Sequence, residues 1–123
     1  MRAILNNYRQ SPRKMRLVAN AVKGKSVVEA QAILSFMPKA ATVPLKKLLD
    51  SAVANAKENQ KVTDAGTLVI KDFRVDPGAV LKRSMPRAHG SAYQILKRTS
   101  KVTLVLGEQA KSPITNQKSP KKK

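Results

Sequence analysis

The chain reads as an α+β fold. A strand-like segment opens it, three helical periods follow, and two strand-like arms folded about one turn close it, so helices and strands are segregated along the sequence instead of alternating. The arms run from Leu68 to Leu106 about the turn Ser84-Met85-Pro86-Arg87-Ala88-His89-Gly90. Their outer ends suit a half-buried sheet: Leu68, Val69, Ile70, Phe73 and Val75 on one side face Val102, Leu104, Val105 and Leu106 on the other. Their middles carry Lys82, Arg83, Arg87, Lys97, Arg98 and Lys101, and no acid occurs between Asp76 and Glu108. A charged two-stranded ribbon with little to bury is marginal alone in water. Something negatively charged must hold it.

The remaining elements follow in order. Arg2 to Tyr8 is a short strand whose place is beside the hairpin base, as the third strand of an antiparallel sheet. Ser11-Pro12 reads as an N-cap followed by proline at the first helical position. Met15, Val18, Ala19 and Val22 then keep the spacing of one buried helical face, and Gly24 can end that helix. Ser26-Val27-Val28-Glu29 has the form of a capping box; Ala30, Ile33, Leu34 and Met37 give the second helix its core face, and Pro38 stops it. Thr42-Val43-Pro44 opens a third, longer helix with Ala41, Leu45, Leu48, Leu49, Ala52, Val53 and Ala56 on its inner face. Its outer face of Lys46, Lys47, Asp50, Ser51, Lys57 and Glu58 is a balanced solvent surface. The polar run from Glu58 to Gly66 ends the helical region.

In the hairpin, Asp76-Pro77-Gly78 predicts a bulge or bend where the ribbon leaves the body, because proline cannot donate to a central ladder. A fold point near Arg87 predicts partners whose numbers add to about 174, so that Ile70 meets Leu104 and Val75 lies near Thr99. The arm from Val75 to the tip then reaches roughly 40 Å, at about 3.3 Å per residue. These elements make one domain over residues 1–106, with the extended hairpin at about 76–101; residues 107–123, which end in Lys118-Ser119-Pro120-Lys121-Lys122-Lys123, read as a disordered basic tail.

Charge narrows the function. The 123 residues hold 25 Lys and Arg against seven Asp and Glu, a formal net charge of +18. A domain that repels itself this strongly is expected to bind a polyanion and release its counterions. Placement adds more than the total. Arg2, Arg9, Arg13, Lys14, Arg16, Lys23 and Lys25 all precede the first acid, Glu29, whereas Ser26 to Gly66 is nearly neutral. Arg13, Lys14 and Arg16 crowd a helix N-terminus, where the macrodipole disfavours cations, which favours a phosphate-facing role. The first helix and the hairpin are therefore the expected contact surfaces. Without Cys there is no disulfide framework or thiolate metal site, which suits a reducing cytoplasm. No apolar run approaches a membrane span, and Met1 to Leu5 is too short for a signal segment.

Catalysis finds no support in the residue pattern. His89 is the only histidine, it has no carboxylate near it in sequence, and the acids are too scattered for a two-metal site. Neither a phosphate-binding loop nor a dinucleotide fingerprint occurs, so no catalytic residue, metal or cofactor is expected. Tyr93 alone on a strand is more simply packing than a stacking platform, which leaves recognition of shape and phosphate by Lys and Arg, with Thr99 and Ser100 as hydroxyl donors.

One resemblance is specific. The run Leu81-Lys82-Arg83-Ser84-Met85-Pro86-Arg87-Ala88-His89-Gly90-Ser91-Ala92-Tyr93-Gln94-Ile95-Leu96-Lys97-Arg98-Thr99-Ser100 resembles the signature of the family of the twenty-second protein of the ribosomal large subunit. Ser11 to Ala19, Gly24-Lys25 and Leu49 to Ala56 are similar to that family's first and third helices, and the likeness covers about Arg2 to Leu106. It implies three helices packed on a small three-stranded antiparallel sheet with a long protruding β-hairpin. It also implies a cytoplasmic, non-enzymatic constituent of the ribosome whose body lies near the mouth of the nascent-chain exit tunnel and whose hairpin threads through large-subunit rRNA, its tip forming part of the tunnel wall near the constriction, opposite a loop of the fourth large-subunit protein. Carried over by position, Lys82, Arg83, Arg87, Lys97, Arg98, Thr99 and Ser100 would touch RNA, beside Arg9, Arg13, Lys14, Arg16, Lys23, Lys25 and Lys101 from the charge pattern. Met85, Pro86, Arg87, Ala88, His89 and Gly90 would line the tunnel and meet the nascent polypeptide. The implied partners are rRNA and neighbouring large-subunit proteins, with no membrane and no obligate homo-oligomer. His89 and Ser91 stand where Lys and Arg are usual, and Lys101 where His is common. The competing reading is an architectural DNA-binding protein whose paired β-arms wedge Pro86 into a minor groove.

Overall fold

Proline-started helices and an apolar strand pair divide the chain into one helical layer and one sheet. The computed structural model describes residues 1–60 and 65–108. Its order is β1 (Arg2–Tyr8), α1 (Pro12–Val22), α2 (Val27–Phe36), α3 (Thr42–Gln60), a 3₁₀ turn (Ala65–Thr67), β2 (Leu68–Pro86), a second 3₁₀ turn (Ala88–Gly90) and β3 (Ala92–Glu108). The strands form one antiparallel sheet in the order β1-β3-β2. The α+β architecture, and β1 as the third strand, are therefore as expected.

Each helix buries the face its spacing marks. Met15, Val18, Ala19 and Val22 of α1 are buried. So are Val27, Ala30 and Leu34 of α2, with Ile33 and Met37 packed against them. The whole inner face of α3 is buried, from Ala41 to Ala56. These residues close over Ala3, Leu68, Ile70, Phe73, Val75, Val102, Leu104 and Leu106 of the sheet to make one core.

Helix ends differ from expectation in detail. Ser26 accepts the Glu29 N–H at 3.3 Å, one arm of the expected capping box. Ser11 holds the N-cap position of α1, yet its hydroxyl makes no capping bond, and its carbonyl takes the Lys14 N–H at 3.1 Å. At the other end of α1, Gly24 adopts φ +78, the left-handed conformation that lets the chain turn back. That turn clasps the sheet: Gly24 N–H donates to the Ile70 carbonyl at 3.1 Å, and Ile70 N–H donates to the Lys25 carbonyl at 3.0 Å.

The register corrects the sequence reading. Ile70 faces Leu106, not Leu104, and Val75 faces Val102. Partner numbers add to 178 from Val80↔Arg98 to Pro86↔Ala92, to 177 between Asp72 and Pro77, and to 176 at the base. Two causes explain the shift. The turn centres on His89 instead of Arg87, and each of two bulges, one between Pro77 and Val80 and one between Ile70 and Asp72, changes the pairing by one residue. The first bulge is the one expected at Asp76-Pro77-Gly78; nothing local in Lys71 announced the second. The ladder also runs further than predicted, since Gly107 and Glu108 pair with Val69 and Leu68. The rest of the expected tail lies outside the described residues.

Candidate nucleic-acid interface

Beyond Asp76 the hairpin leaves the core. No residue from Pro77 to Arg98 is buried, whereas Thr99 and Ser100 are 5% and 0% exposed. Cross-strand pairing in this shaft sets one cation against one aliphatic residue four times in succession: Val80 with Arg98, Leu81 with Lys97, Lys82 with Leu96 and Arg83 with Ile95. Opposed residues share a face and successive pairs alternate faces, so each face of the ribbon carries two cations set diagonally and two aliphatic groups. The shaft has no core face and no solvent face. Val80, Leu96, Met85 and Tyr93 remain between 38% and 61% exposed, an apolar cost that a surrounding partner would remove.

The shaft's root adjoins the first helix. Arg9, Gln10, Ser11 and Lys14 form one groove with Leu96, Lys97 and Arg98. Arg13 and Arg16 join Lys14, Pro77 and Arg98 in a second. Among the described residues, neither groove is lined by an acid. Two basic segments separated by some eighty residues of sequence thus meet in one continuous positive surface, suited to a phosphate backbone. Arg16 also donates through Nε to the Val75 carbonyl at 3.1 Å, pinning α1 to the last buried residue of β2.

The other expected contact residues do not line these grooves. Lys23 makes an ion pair with Asp72 at 3.0 Å, and the hydrogen bond from Lys23 holds the Asp72 carboxyl below its ordinary value. Lys25 is exposed. Lys101 is exposed opposite Asp76, whose carboxylate is already engaged by Arg74 at 3.2 Å. Thr99 and Ser100, expected to donate to RNA, are instead consumed internally. The Thr99 hydroxyl donates to the Ala79 carbonyl at 2.6 Å, and the Ser100 hydroxyl donates to the Gln10 carbonyl. They brace the junction between body and shaft. The close fit extends to Gly78, where an added Cβ would lie 2.5 Å from the Thr99 hydroxyl oxygen. Gln10 and Pro77 were missed as groove residues, because only the tertiary pairing brings them beside Arg98.

At the tip, Arg87 N–H donates to the Ser91 carbonyl at 2.8 Å and the Ser91 hydroxyl donates to the Ala88 carbonyl at 2.7 Å. His89 has φ 56, a conformation that histidine tolerates better than β-branched residues do. Met85, Pro86, Arg87, Ala88, His89 and Gly90 are all exposed. Among the described residues no group of three His, Cys, Asp or Glu could hold a metal ion, and no helix is long and apolar enough to cross a membrane.

Comparison with known proteins finds relatives over most of the chain. The family model described as ribosomal protein L22p/L17e matches residues 3–107. A large ribosomal subunit protein uL22 from Desulfitobacterium hafniense (strain Y51) is 50% identical over 107 residues, covering 87% of this chain and 93% of that protein. Its namesake from Clostridium novyi (strain NT) is 50% identical over 109 residues, covering 89% and 97%, and that from Deinococcus deserti is 49% identical over 107, covering 87% and 76%.

Proposed function

The chain belongs to the ribosomal protein L22p/L17e family, and on that footing we propose that it is a structural constituent of the large ribosomal subunit that binds and organises rRNA. The observation that carries this reading is the shaft: four consecutive cation–aliphatic pairs presented on both faces. A ribbon lying on one surface would need cations on one face only. A ribbon enclosed by folded RNA has phosphates to neutralise on both sides, and sugar edges against which to shelter its aliphatic groups.

The body, residues 1–106 with the shaft it carries, anchors through the grooves at the α1 start. Arg9, Arg13, Lys14 and Arg16 position phosphates there, with Lys97 and Arg98 on the other wall. Lys82, Arg83, Arg87, Lys97, Arg98 and Lys101 extend that contact outward, and Lys25 adds to it from the body. The tip from Met85 to Gly90 lines the nascent-peptide exit tunnel, its small, tightly bonded turn filling wall space beside a passing chain. The protein works by position and charge, in the cytoplasm, without a reaction of its own.

The test is sedimentation. After a high-salt wash the protein should remain with large ribosomal subunits, because enclosed cations are screened far less than exposed ones. Recovery only in a free or DNA-bound fraction would reject the reading and favour an architectural DNA-binding arm.

A further inference from the structure

The outer edge of β1 and the first turns of α3 flank an apolar trough lined by Leu5, Tyr8, Val43, Pro44 and Leu48, with Lys47 its one charged lining residue among the described residues. The strand beside it is a sheet edge. Met1 exchanges both backbone bonds with Leu106, and the pairing continues unbroken from Arg2↔Val105 to Leu5↔Val102. Backbone groups in such a ladder alternate inward and outward. Met1, Ala3 and Leu5 therefore bond to β3, while Arg2 and Ile4 point away from the sheet. The Arg2 carbonyl is taken by the side-chain amide of Asn55 at 3.4 Å. Among the described residues nothing bonds the N–H or carbonyl of Ile4, which face the trough on a strand that is otherwise a template for pairing.

We propose that this edge and trough receive a short extended segment of a neighbouring protein, added beside β1 as a further strand. Its backbone bonds Ile4, alternate apolar side chains descend onto Leu5, Val43 and Leu48, and an acidic side chain meets Lys47. Three observations select this occupant. RNA has no N–H and carbonyl alternating at strand spacing, and an apolar trough with a single lysine serves phosphates poorly. A second copy of this chain would bring +18 against +18. The sign of that charge, with Lys47 in the lining, favours an acidic segment. The inference rests on the large-subunit reading, because that is where the neighbouring protein stands.

The experiment uses the full chain assembled into large subunits, with a benzophenone-bearing amino acid in place of Ser51, which also lines the trough, or, in a parallel preparation, of Lys97. Illumination and peptide mapping should join position 51 to one segment of another protein carrying both acidic and apolar residues, while position 97 joins to rRNA. Ile4→Pro removes the outward N–H without touching the β1–β3 ladder and should lower the yield at position 51 by about tenfold, the scale of one net hydrogen bond. Val43→Asp, which leaves the strand untouched, should lower it comparably. Crosslinking of position 51 to RNA, to a second copy or to nothing, in subunits where position 97 reaches rRNA, overturns the inference alone. So does a yield that neither substitution changes. Absence of the chain from the subunits rejects the large-subunit reading and this inference with it.

Discussion

Gly78→Ala tests how the shaft is joined to the body. The new Cβ would sit 2.5 Å from the Thr99 hydroxyl oxygen and 3.4 Å from the Thr99 carbonyl carbon and oxygen. The backbone contacts are tolerable; the first is not. Thr99 is buried and β-branched, so relief requires its stiff χ1 to turn, which breaks the 2.6 Å bond to the Ala79 carbonyl. Losing that bond removes about 0.5–1.5 kcal/mol, and the off-rotamer packing costs a comparable amount, so the substitution should destabilise by about 1–3 kcal/mol. For a domain of this size that lowers Tm by roughly 4–12 °C, read by thermal unfolding of the free protein. Thr99→Ala should cost about 1 kcal/mol in the natural background and almost nothing in Gly78→Ala, because the bond is already gone. A neutral Gly78→Ala, or strictly additive effects in the double variant, would refute the bulge as a built joint.

Three further outcomes follow from the charges and the body. Lys97→Ala and Arg98→Ala should each weaken rRNA binding across sequences and reduce the log–log salt slope by about one, measured by filter binding from low to moderate salt. Replacing residues 77–100 by an Asn-Gly turn between Asp76 and Lys101 should leave a cooperatively folding body whose RNA binding is weaker and less salt-dependent; loss of the thermal transition would mean that body and shaft are not separable. Asp72 titrates below its ordinary value of 3.8 because of Lys23, so the stability it lends is present above about that pH and is lost as pH falls through the lowered value. Asp72→Asn should therefore flatten the acid limb of the stability curve slightly, since both partners are about half exposed.

Much of this fold is legible because its signals are local. Proline at the start of α1, the Ser26 cap and the seven inner residues of α3 each act within one or two turns, and each lies where its spacing places it. Register is a different quantity. It accumulates over nineteen residues of β2, so one unannounced bulge beside Lys71 and a turn centred on His89 were enough to move every partner of the base. The candidate interface divides the same way. The cations of α1 and the shaft are read from composition, yet their meeting across Ser11 and Arg98 depends on tertiary pairing. Thr99 and Ser100 show the limit most clearly. Hydroxyls flanked by Arg98 and Lys101 look like phosphate donors in sequence, and only the bulge at Gly78 and the approach of Gln10 reveal that both are already bonded inside the protein.

The proposed role requires that this ribbon be enclosed by RNA and end at a tunnel. A structure of the large subunit containing the chain tests it directly. We expect rRNA against both faces of the shaft from Val80 to Arg98, with phosphates near Lys82 and Arg98 on one face and near Arg83 and Lys97 on the other, and with Met85 to Gly90 at the tunnel wall. A shaft lying on the subunit surface with one face open to solvent would contradict it.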